Sequence, residues 1–121
     1  MRVAGLGFRP LADVSSLREA LQLAGGNAGL TALATAQDKA TAPALTDLAA
    51  ELGLPVIAVP LALLGDQAAT PSAHVPERYG TRSLAEAAAL AAAGPGARLV
   101  AARAVAADKM ATAAIAENTD L

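Results

Sequence analysis

The sequence predicts an α/β fold: a small three-layer domain of about five mostly parallel strands, with helices on both faces and a C-terminal β-hairpin. Short apolar runs alternate along the chain with segments whose apolar residues repeat at helical spacing, an order typical of βαβ units. Glycine and proline residues stand at the boundaries between these segments, where they end helices and strands. The length of 121 residues is that of one domain, so we expect residues 1–121 to share a single core.

The first strand and the first helix occupy the start of the chain. An apolar run over residues 3–6 predicts a short buried strand. Ser16 and Glu19 have the spacing of a capping box, in which the two side chains satisfy backbone N–H groups at the start of a helix. This helix should end at Gly25, because glycine readily adopts the left-handed conformation of a C-cap. Its apolar face, spaced i, i+3, i+4 and i+7, consists of Leu17, Ala20, Leu21 and Ala24.

Two further strands flank the second helix. An apolar run over residues 30–35 predicts the second strand. Pro43 is favoured at the first position of a helix, and Gly53 follows the last apolar residue of the same pattern, so a helix should extend between them. Residues 55–60 predict a buried strand that is bracketed by prolines, which belong at strand ends.

The middle of the chain is less regular. A short helical turn is expected over residues 61–64, and residues 65–82 show no regular pattern. A loop of that length in a compact domain is usually functional or mobile. Ser83 and Glu86 have the spacing of a second capping box and predict an alanine-rich helix that ends at Gly94.

Two final apolar runs predict the last two strands, over residues 99–103 and 111–116. They are joined around Asp108 and Lys109. Such a short connection favours antiparallel pairing, so we expect a C-terminal hairpin.

Composition and charge exclude several classes of function. Hydrophobic residues make up 55% of the chain but aromatic residues only 2%, so the core must consist of Ala, Leu and Val. The formal net charge is -2, and the 9 basic and 11 acidic residues form no run of like charge, so we expect no nucleic-acid partner. The absence of cysteine excludes disulfides, thiolate catalysis and most structural zinc sites. No apolar stretch reaches the roughly 20 residues of a membrane-spanning helix, so we expect no membrane partner and a cytoplasmic location.

The ends of the first two strands carry residues that suit an anionic ligand. In open α/β sheets, ligands bind beyond the carboxyl ends of parallel strands. The first strand ends in Gly5-Leu6-Gly7-Phe8-Arg9, and the second is followed by Asp38 and Lys39. If the two strands are neighbours, Arg9 and Lys39 share one edge of the sheet with the backbone N–H groups of the two glycines. The structural alternatives are a tight glycine turn, a solvated arginine, and a lysine that pairs with the adjacent aspartate.

A helix N-terminus completes the predicted site. Ser83 and Glu86 are explained by the capping box, but a helix start at this edge would also attract negative charge. The predicted ligand-binding residues are therefore Gly5, Gly7, Arg9, Asp38, Lys39, Ser83 and Glu86.

The same motifs do not match several common nucleotide-binding, catalytic and metal sites. Pro10 stands where a dinucleotide-binding loop has its third glycine, and no acidic residue closes the second strand to hold a ribose hydroxyl. No Gly-Lys-Ser/Thr follows the glycines, as a phosphate loop requires. His74 is the only histidine, so neither a Ser-His-Asp triad nor a metal site has an evident set of partners. We therefore predict no metal and no cofactor, and we assign no catalytic residues.

A set of segments occurs in a recognisable order along nearly the whole chain. The segments are Gly5-Leu6-Gly7-Phe8-Arg9, Leu33-Ala34-Thr35 with Lys39, Gly53-Leu54-Pro55, Pro71-Ser72 with Val75, Gly80-Thr81-Arg82-Ser83-Leu84-Ala85-Glu86-Ala87-Ala88-Ala89-Leu90, and Thr112 with Ala114-Ile115-Ala116. Together they resemble the CobE family, which is similar to the C-terminal domain of the cobalamin-biosynthesis protein CbiG. The basic residue that this family has near the end of the penultimate strand is either Arg103 or Lys109 here.

The resemblance implies a function in corrin-ring formation during cobalamin (vitamin B12) biosynthesis. Its intermediates, the precorrins, carry many carboxylates around an apolar macrocycle, and we expect the chain to bind such an intermediate through Arg9 and Lys39, as a carrier or accessory protein. Full-length CbiG proteins open the lactone of a cobalt-precorrin and release a two-carbon aldehyde, but they carry further N-terminal regions. One alternative is therefore a precorrin lactone hydrolase, and another is an interaction module for a different enzyme of the corrin pathway. In the hydrolase alternative, the residues that could activate water are Asp38, His74, Glu77 and Glu86.

Overall fold

The structure, a computed structural model, describes residues 1–64 and 83–118. In these residues the strands and α-helices lie in the order β1 (Arg2–Phe8), α1 (Val14–Ala24), β2 (Ala32–Ala36), α2 (Pro43–Leu52), β3 (Val56–Val59), α3 (Leu61–Leu64), α4 (Leu84–Ala93), β4 (Arg98–Val105) and β5 (Ala111–Glu117). A 3₁₀ helix, Gln37–Lys39, directly follows β2. None of the described helices is long and apolar enough to cross a membrane. The predicted α/β class and its five strands are confirmed.

The strands form one sheet in the order β3-β2-β1-β5-β4. β1 pairs in parallel with β2, and β2 pairs in parallel with β3, as expected for the first part of the chain. β5 pairs antiparallel with both β1 and β4, so the predicted C-terminal hairpin is confirmed. The sheet is therefore mixed, and β1 is the central strand at which its parallel and antiparallel halves meet.

The carboxyl edge of the sheet is the edge where the three parallel strands end, at Phe8, Ala36 and Val59. In the antiparallel half, Phe8 is the partner of Ala111, the first residue of β5. The hairpin turn, residues 106–110, joins β4 to β5 just before this position. It therefore lies at the carboxyl edge, beside the segment that follows β1.

Helices cover both faces of the sheet, as predicted. α1 and α2 pack on one face around a leucine-rich core that includes Leu17, Leu21, Leu45 and Leu48. α3 and α4 pack on the other face, to which α4 contributes mainly alanine. Burial of one leucine side chain stabilises a fold by roughly 1.5–3 kcal/mol and scales with apolar area, so the leucine-rich face supplies more of the hydrophobic stabilisation.

The start of α1 differs from the prediction. Its N-cap is Asp13, whose Oδ1 accepts the N–H of Ser16 at 3.1 Å. Ser16 lies inside the helix, and its hydroxyl donates to the carboxylate of Asp108. The Glu19 carboxylate accepts the N–H of Ala107, in the hairpin turn. The predicted capping box of Ser16 and Glu19 is wrong because Asp13, three residues earlier, offers a carboxylate to the same helix start.

The other helix and strand boundaries agree with the prediction to within a few residues. α1 ends at Gly25, and α2 ends at Gly53, whose φ of 68° is the left-handed conformation that glycine allows at a C-cap. β3 lies between its two prolines. β1 continues to Phe8, beyond the expected end of the strand. The predicted irregular segment, residues 65–82, lies outside the described residues.

α4 lies very close to β1 because small residues line both sides of their contact. A Cβ atom on Gly5 would be 1.9 Å from the carbonyl oxygen of Ala85 and 2.6 Å from the backbone nitrogen of Ala89. A Cβ atom on Gly7 would be 2.9 Å from the hydroxyl oxygen of Thr112. Real Cβ atoms essentially never approach other atoms to less than 3.0 Å. The backbone of α4 therefore requires glycine at position 5.

We expect Gly5→Ala to destabilise the fold by about 3 kcal/mol or more, because its methyl group meets the helix backbone, which moves only if α4 moves as a whole. Gly7→Ala is the matched control in the same strand. Its methyl group meets mainly the Thr112 side chain, which can rotate, so we expect a change of less than about 1 kcal/mol. Urea unfolding followed by circular dichroism measures both values, and equal losses would contradict a backbone contact at Gly5.

Candidate functional site

Several segments meet at the carboxyl edge of the sheet. β1 leads into Arg9, and β2 leads into the 3₁₀ helix that ends with Lys39. The hairpin turn lies beside Arg9, and the first residue of α4, Leu84, lies beside Gly7 near the end of β1. Because this edge gathers loops and helix starts from both faces of the sheet, it is the expected place for a ligand site in this fold.

Arg9 is an exposed residue whose guanidinium is held at one end. Its backbone N–H donates to the carbonyl of Met110 at 2.9 Å, which extends the pairing of β1 with the hairpin by one residue. Its Nε donates to the carbonyl of Lys109 at 3.1 Å. Lys109 has a φ of 61°, a left-handed conformation that few residues other than glycine adopt. In the described part of the chain, the two terminal amino groups of Arg9 have no protein acceptor.

Lys39 lies next to the same strand end. Its Nζ donates to the carbonyl of Phe8 at 2.8 Å and lies 5.0 Å from the centre of the Phe8 ring. Because Phe8 immediately precedes Arg9, the expectation that Arg9 and Lys39 share one edge of the sheet is confirmed. The side chain of Lys39 is half-buried, so it also fixes the segment after β2 to the end of β1.

Two of the other predicted residues, Gly5 and Gly7, lie in the strand itself, whereas Asp38 follows the second strand as expected. Gly5 and Gly7 are buried inside β1, and neither has a positive φ, so the predicted glycine loop after the strand is wrong. The reason is that Gly5 accommodates the backbone of α4, while Gly7 lies against the side chains of Thr112 and Leu84. Asp38 is exposed in the middle of the 3₁₀ helix, next to Lys39.

Ser83 and Glu86 lie at the start of α4, and both side chains are buried. Ser83 is the N-cap, as predicted, and its hydroxyl accepts the N–H of Glu86 at 3.5 Å. The Glu86 side chain is fully buried, and its Oε2 accepts the N–H of Arg103 at 2.9 Å. Arg103 lies between Ala101 and Ala104, where the pairing of β4 with β5 changes register. Glu86 thus satisfies a backbone donor at an irregularity of the strand, where an unsatisfied buried donor would cost about 1–3 kcal/mol.

The hairpin turn is fixed by α1, a feature that the sequence patterns did not indicate. The Ser16 hydroxyl donates to the Asp108 carboxylate, whose other oxygen accepts the N–H of Met110 at 2.9 Å. Glu19 accepts the N–H of Ala107. These contacts hold the turn that presents the Lys109 carbonyl to Arg9. The residues involved are about 90 positions apart in sequence, beyond the reach of helix or strand periodicity.

The clefts that border the described residues include one at each end of α4. An open cleft of about 510 Å³, here called the Arg9 cleft, lies at the carboxyl edge and is lined by Arg9, Pro10, Leu11 and Met110. Another cleft of about 300 Å³ lies at the opposite end of α4, around Leu90, Gly94 and Leu63, and its lining contains no charged side chain. An anionic ligand therefore fits the Arg9 cleft better.

The described residues were considered as metal ligands and as groups that could activate water. Within residues 1–64 and 83–118, no three acidic or histidine side chains form a group that could hold a metal ion. His74 and Glu77, two of the residues considered for activating water, lie outside the described residues. Glu86 is occupied by the N–H of Arg103 and is buried away from the Arg9 cleft.

Comparison with known proteins gives a consistent result. A family model described as "Cobalamin synthesis G C-terminus" matches residues 2–116. The crystal structure of CobE, a protein from the cobalamin (vitamin B12) biosynthetic pathway, is similar to this chain, with 34% sequence identity and a TM-score of 0.79. The match covers 98% of this chain and 90% of that chain. The cobalamin biosynthesis protein chiG from Agrobacterium tumefaciens is 39% identical, with a TM-score of 0.73, and the match covers 99% of this chain and 100% of that chain. A search of curated proteins gives no match.

A more distant structure shares the fold alone. A cobalamin biosynthesis protein G homolog from Sulfolobus solfataricus is 16% identical, with a TM-score of 0.72. The match covers 95% of this chain but only 36% of that chain. The same fold therefore also occurs as one part of a larger protein.

Acid should weaken the start of α1 through Asp13. Hydrogen bonds from the Ser15 hydroxyl and the Ser16 N–H lower the pKa of the Asp13 carboxyl below its ordinary value of 3.8. The ionised carboxylate therefore stabilises the fold at pH values above that ordinary value. This stabilisation is lost as the pH falls through the lower pKa of the folded state. Asp13→Asn keeps a capping oxygen but does not titrate, so its stability should lack this loss.

Thermal unfolding of the wild type and of Asp13→Asn, between about pH 6 and about pH 2.5, measures the effect. We expect the wild type to unfold at the higher temperature near neutral pH, and the difference to close at the acid end of the range. A difference that stays constant over the whole range would show that the charge of Asp13 has no part in the cap.

Proposed function

The chain belongs to the CobE/CbiG C-terminal domain family of cobalamin-biosynthesis proteins, and we propose that it binds a precorrin or related corrinoid intermediate through the carboxylates of that ligand. In this proposal the protein is a carrier of the intermediate or an accessory to another enzyme of the pathway. The ligand site is the Arg9 cleft at the carboxyl edge of the sheet.

The proposal rests on the way in which the Arg9 guanidinium is held. Its Nε is occupied by the carbonyl of Lys109, which fixes the plane of the guanidinium relative to the hairpin turn. The two terminal amino groups of a guanidinium can donate two parallel hydrogen bonds to one carboxylate. Paired hydrogen bonds of this kind combine charge attraction with a defined orientation. A surface arginine without the Lys109 contact would have to be ordered by the ligand, at a cost in entropy.

Two lysines add positive charge around Arg9. Lys39 is tied to the carbonyl of Phe8, the residue before Arg9, and Lys109 supplies the carbonyl that Arg9 contacts. Asp38 and Asp108, each adjacent to one of these lysines, offset part of this positive charge, and Arg9 has no acidic neighbour in sequence. A local cationic patch attracts a polyanion from solution, and its effect weakens as salt concentration rises. A corrinoid with several carboxylates suits such a patch.

The described residues favour binding over hydrolysis. Lactone hydrolysis requires a group that activates water close to the ligand. Of the residues considered for that role, Glu86 is buried and bonded to Arg103, whereas Asp38 is exposed at the carboxyl edge. Binding needs only cations and hydrogen-bond donors, which Arg9 and its neighbours provide.

We expect Arg9→Ala to weaken the binding of hydrogenobyrinic acid, a cobalt-free corrinoid, by about tenfold or more, because a charge-assisted hydrogen bond contributes roughly 1.5–3 kcal/mol. Lys39→Met, which keeps the apolar stem on Phe8, should weaken binding by a smaller factor. Arg98→Ala is the matched control. Arg98 is an exposed arginine at the opposite edge of the sheet, where β4 begins, so the net charge changes equally without a change in the site.

Absorbance titration of the purified protein measures these affinities. Loss of affinity in Arg9→Ala but not in Arg98→Ala supports the Arg9 cleft as the ligand site. Equal affinities in all variants would refute this site. If the wild type does not bind the corrinoid at all, the proposed function is wrong. Incubation with a lactone-bearing precorrin, with an assay for the released aldehyde, tests the hydrolase alternative in the same samples.

A further inference from the structure

Leu11 is the most exposed of the large apolar side chains in the described residues, with 89% of its surface accessible. Isolated exposed leucines are common and need no explanation by themselves. The position of this one is unusual, because Leu11 lines the Arg9 cleft together with Pro10 and Met110. An apolar surface therefore lies directly beside the proposed carboxylate-binding group.

The backbone holds Leu11 in a fixed position. The N–H of Ala12 donates to the carbonyl of Arg9 at 3.0 Å, which closes a tight turn over residues 9–12. Pro10 occupies the second position of this turn, where its fixed φ is favoured, and Leu11 occupies the third, at the tip. The turn therefore displays Leu11 outward with little backbone freedom.

Met110, which also lines the cleft, is held by the backbone of Arg9. Its carbonyl accepts the N–H of Arg9 at 2.9 Å, and its own N–H donates to Asp108. The backbones of Leu11 and Met110 are thus both held next to Arg9, while their side chains keep their rotamer freedom.

The combination of side chains indicates what kind of ligand fits. A small polycarboxylate such as citrate would satisfy Arg9 but would leave Leu11 and Met110 in water. A corrinoid has an apolar macrocycle bordered by carboxylates, so one ligand meets both parts of the cleft. The volume of about 510 Å³ is within the range of roughly 300–1,000 Å³ that small-molecule sites occupy.

We propose that Pro10, Leu11 and Met110 contact the apolar macrocycle of the corrinoid while Arg9 binds one of its carboxylates, so that the cleft selects ligands that carry both. This inference rests on the proposed function and adds the residues that determine specificity.

Leu11→Ser tests the apolar contact, because a residue that is 89% exposed can be changed without disturbing the core. Its matched control is Leu23→Ser, since Leu23 is 60% exposed and lies near the end of α1, away from the carboxyl edge. We expect Leu11→Ser to weaken the binding of hydrogenobyrinic acid by about tenfold, the loss of most of one leucine's contact with the ligand, and Leu23→Ser to leave it unchanged.

Two further probes separate the roles of the cleft residues. Citrate offers carboxylates without a macrocycle, and the corrinoid with its carboxylates converted to amides offers the macrocycle without charge. We expect Leu11→Ser to reduce the affinity for the amidated corrinoid and to leave that for citrate unchanged, whereas Arg9→Ala should reduce mainly the affinity for the charged ligands.

The outcomes distinguish this inference from the proposed function. If the wild type binds hydrogenobyrinic acid and Leu11→Ser binds it equally well, the apolar contact is refuted and the proposed function stands. If the wild type binds citrate as tightly as the corrinoid, the cleft does not select a macrocycle. If the wild type binds no corrinoid, both the function and the contact are wrong.

Discussion

The direct contact of the α4 backbone with Gly5 is the constraint on which the rest of this domain depends. A helix can approach a strand this closely only where side chains are absent or very small, which explains the alanine-rich composition of α4. The close approach also determines the position of the first turn of α4. It places the Glu86 carboxylate within hydrogen-bonding distance of Arg103 in β4, two strands away from β1 in the sheet. The edge strand is thereby connected to the central strand through the helix.

The hairpin turn receives a second set of contacts from the other face of the sheet. Ser16 and Glu19 of α1 bind the turn at Asp108 and Ala107, while Glu86 of α4 binds the strand that leads into it. The turn is therefore fixed by helices from both layers. In this position the Lys109 carbonyl accepts the hydrogen bond from the Arg9 Nε. Contacts from α1 to the hairpin turn therefore also determine where the Arg9 guanidinium is held.

The sequence predicts what depends on neighbours along the chain, and it fails where distant segments decide. Helical spacing and the glycine at position 53 locate α2 correctly because a cap needs only nearby residues. The two glycines at positions 5 and 7 suit either a loop for an anion or a strand beneath a helix, and only the position of α4 decides between them. Ser16 has capping-box spacing, yet Asp13 supplies the cap and Ser16 contacts Asp108, a partner that no local pattern reveals. The strand ends that carry Arg9 and Lys39 are predictable, whereas the turn that orients Arg9 is not.

The shortage of aromatic residues bears on the proposed binding of a macrocycle in the Arg9 cleft. Proteins often hold flat ligands by stacking aromatic rings on them, but Phe8 is the only aromatic residue in the described part of the chain, and its ring lies under the ammonium group of Lys39. Among the described residues at this edge, the side chains left for the proposed contact with an apolar ring system are aliphatic. Leu11 and Met110 are suited to that task, because flexible side chains follow a puckered macrocycle better than a rigid ring does. A site made of one oriented arginine and two adaptable apolar residues thus combines a fixed charge contact with a tolerant apolar one.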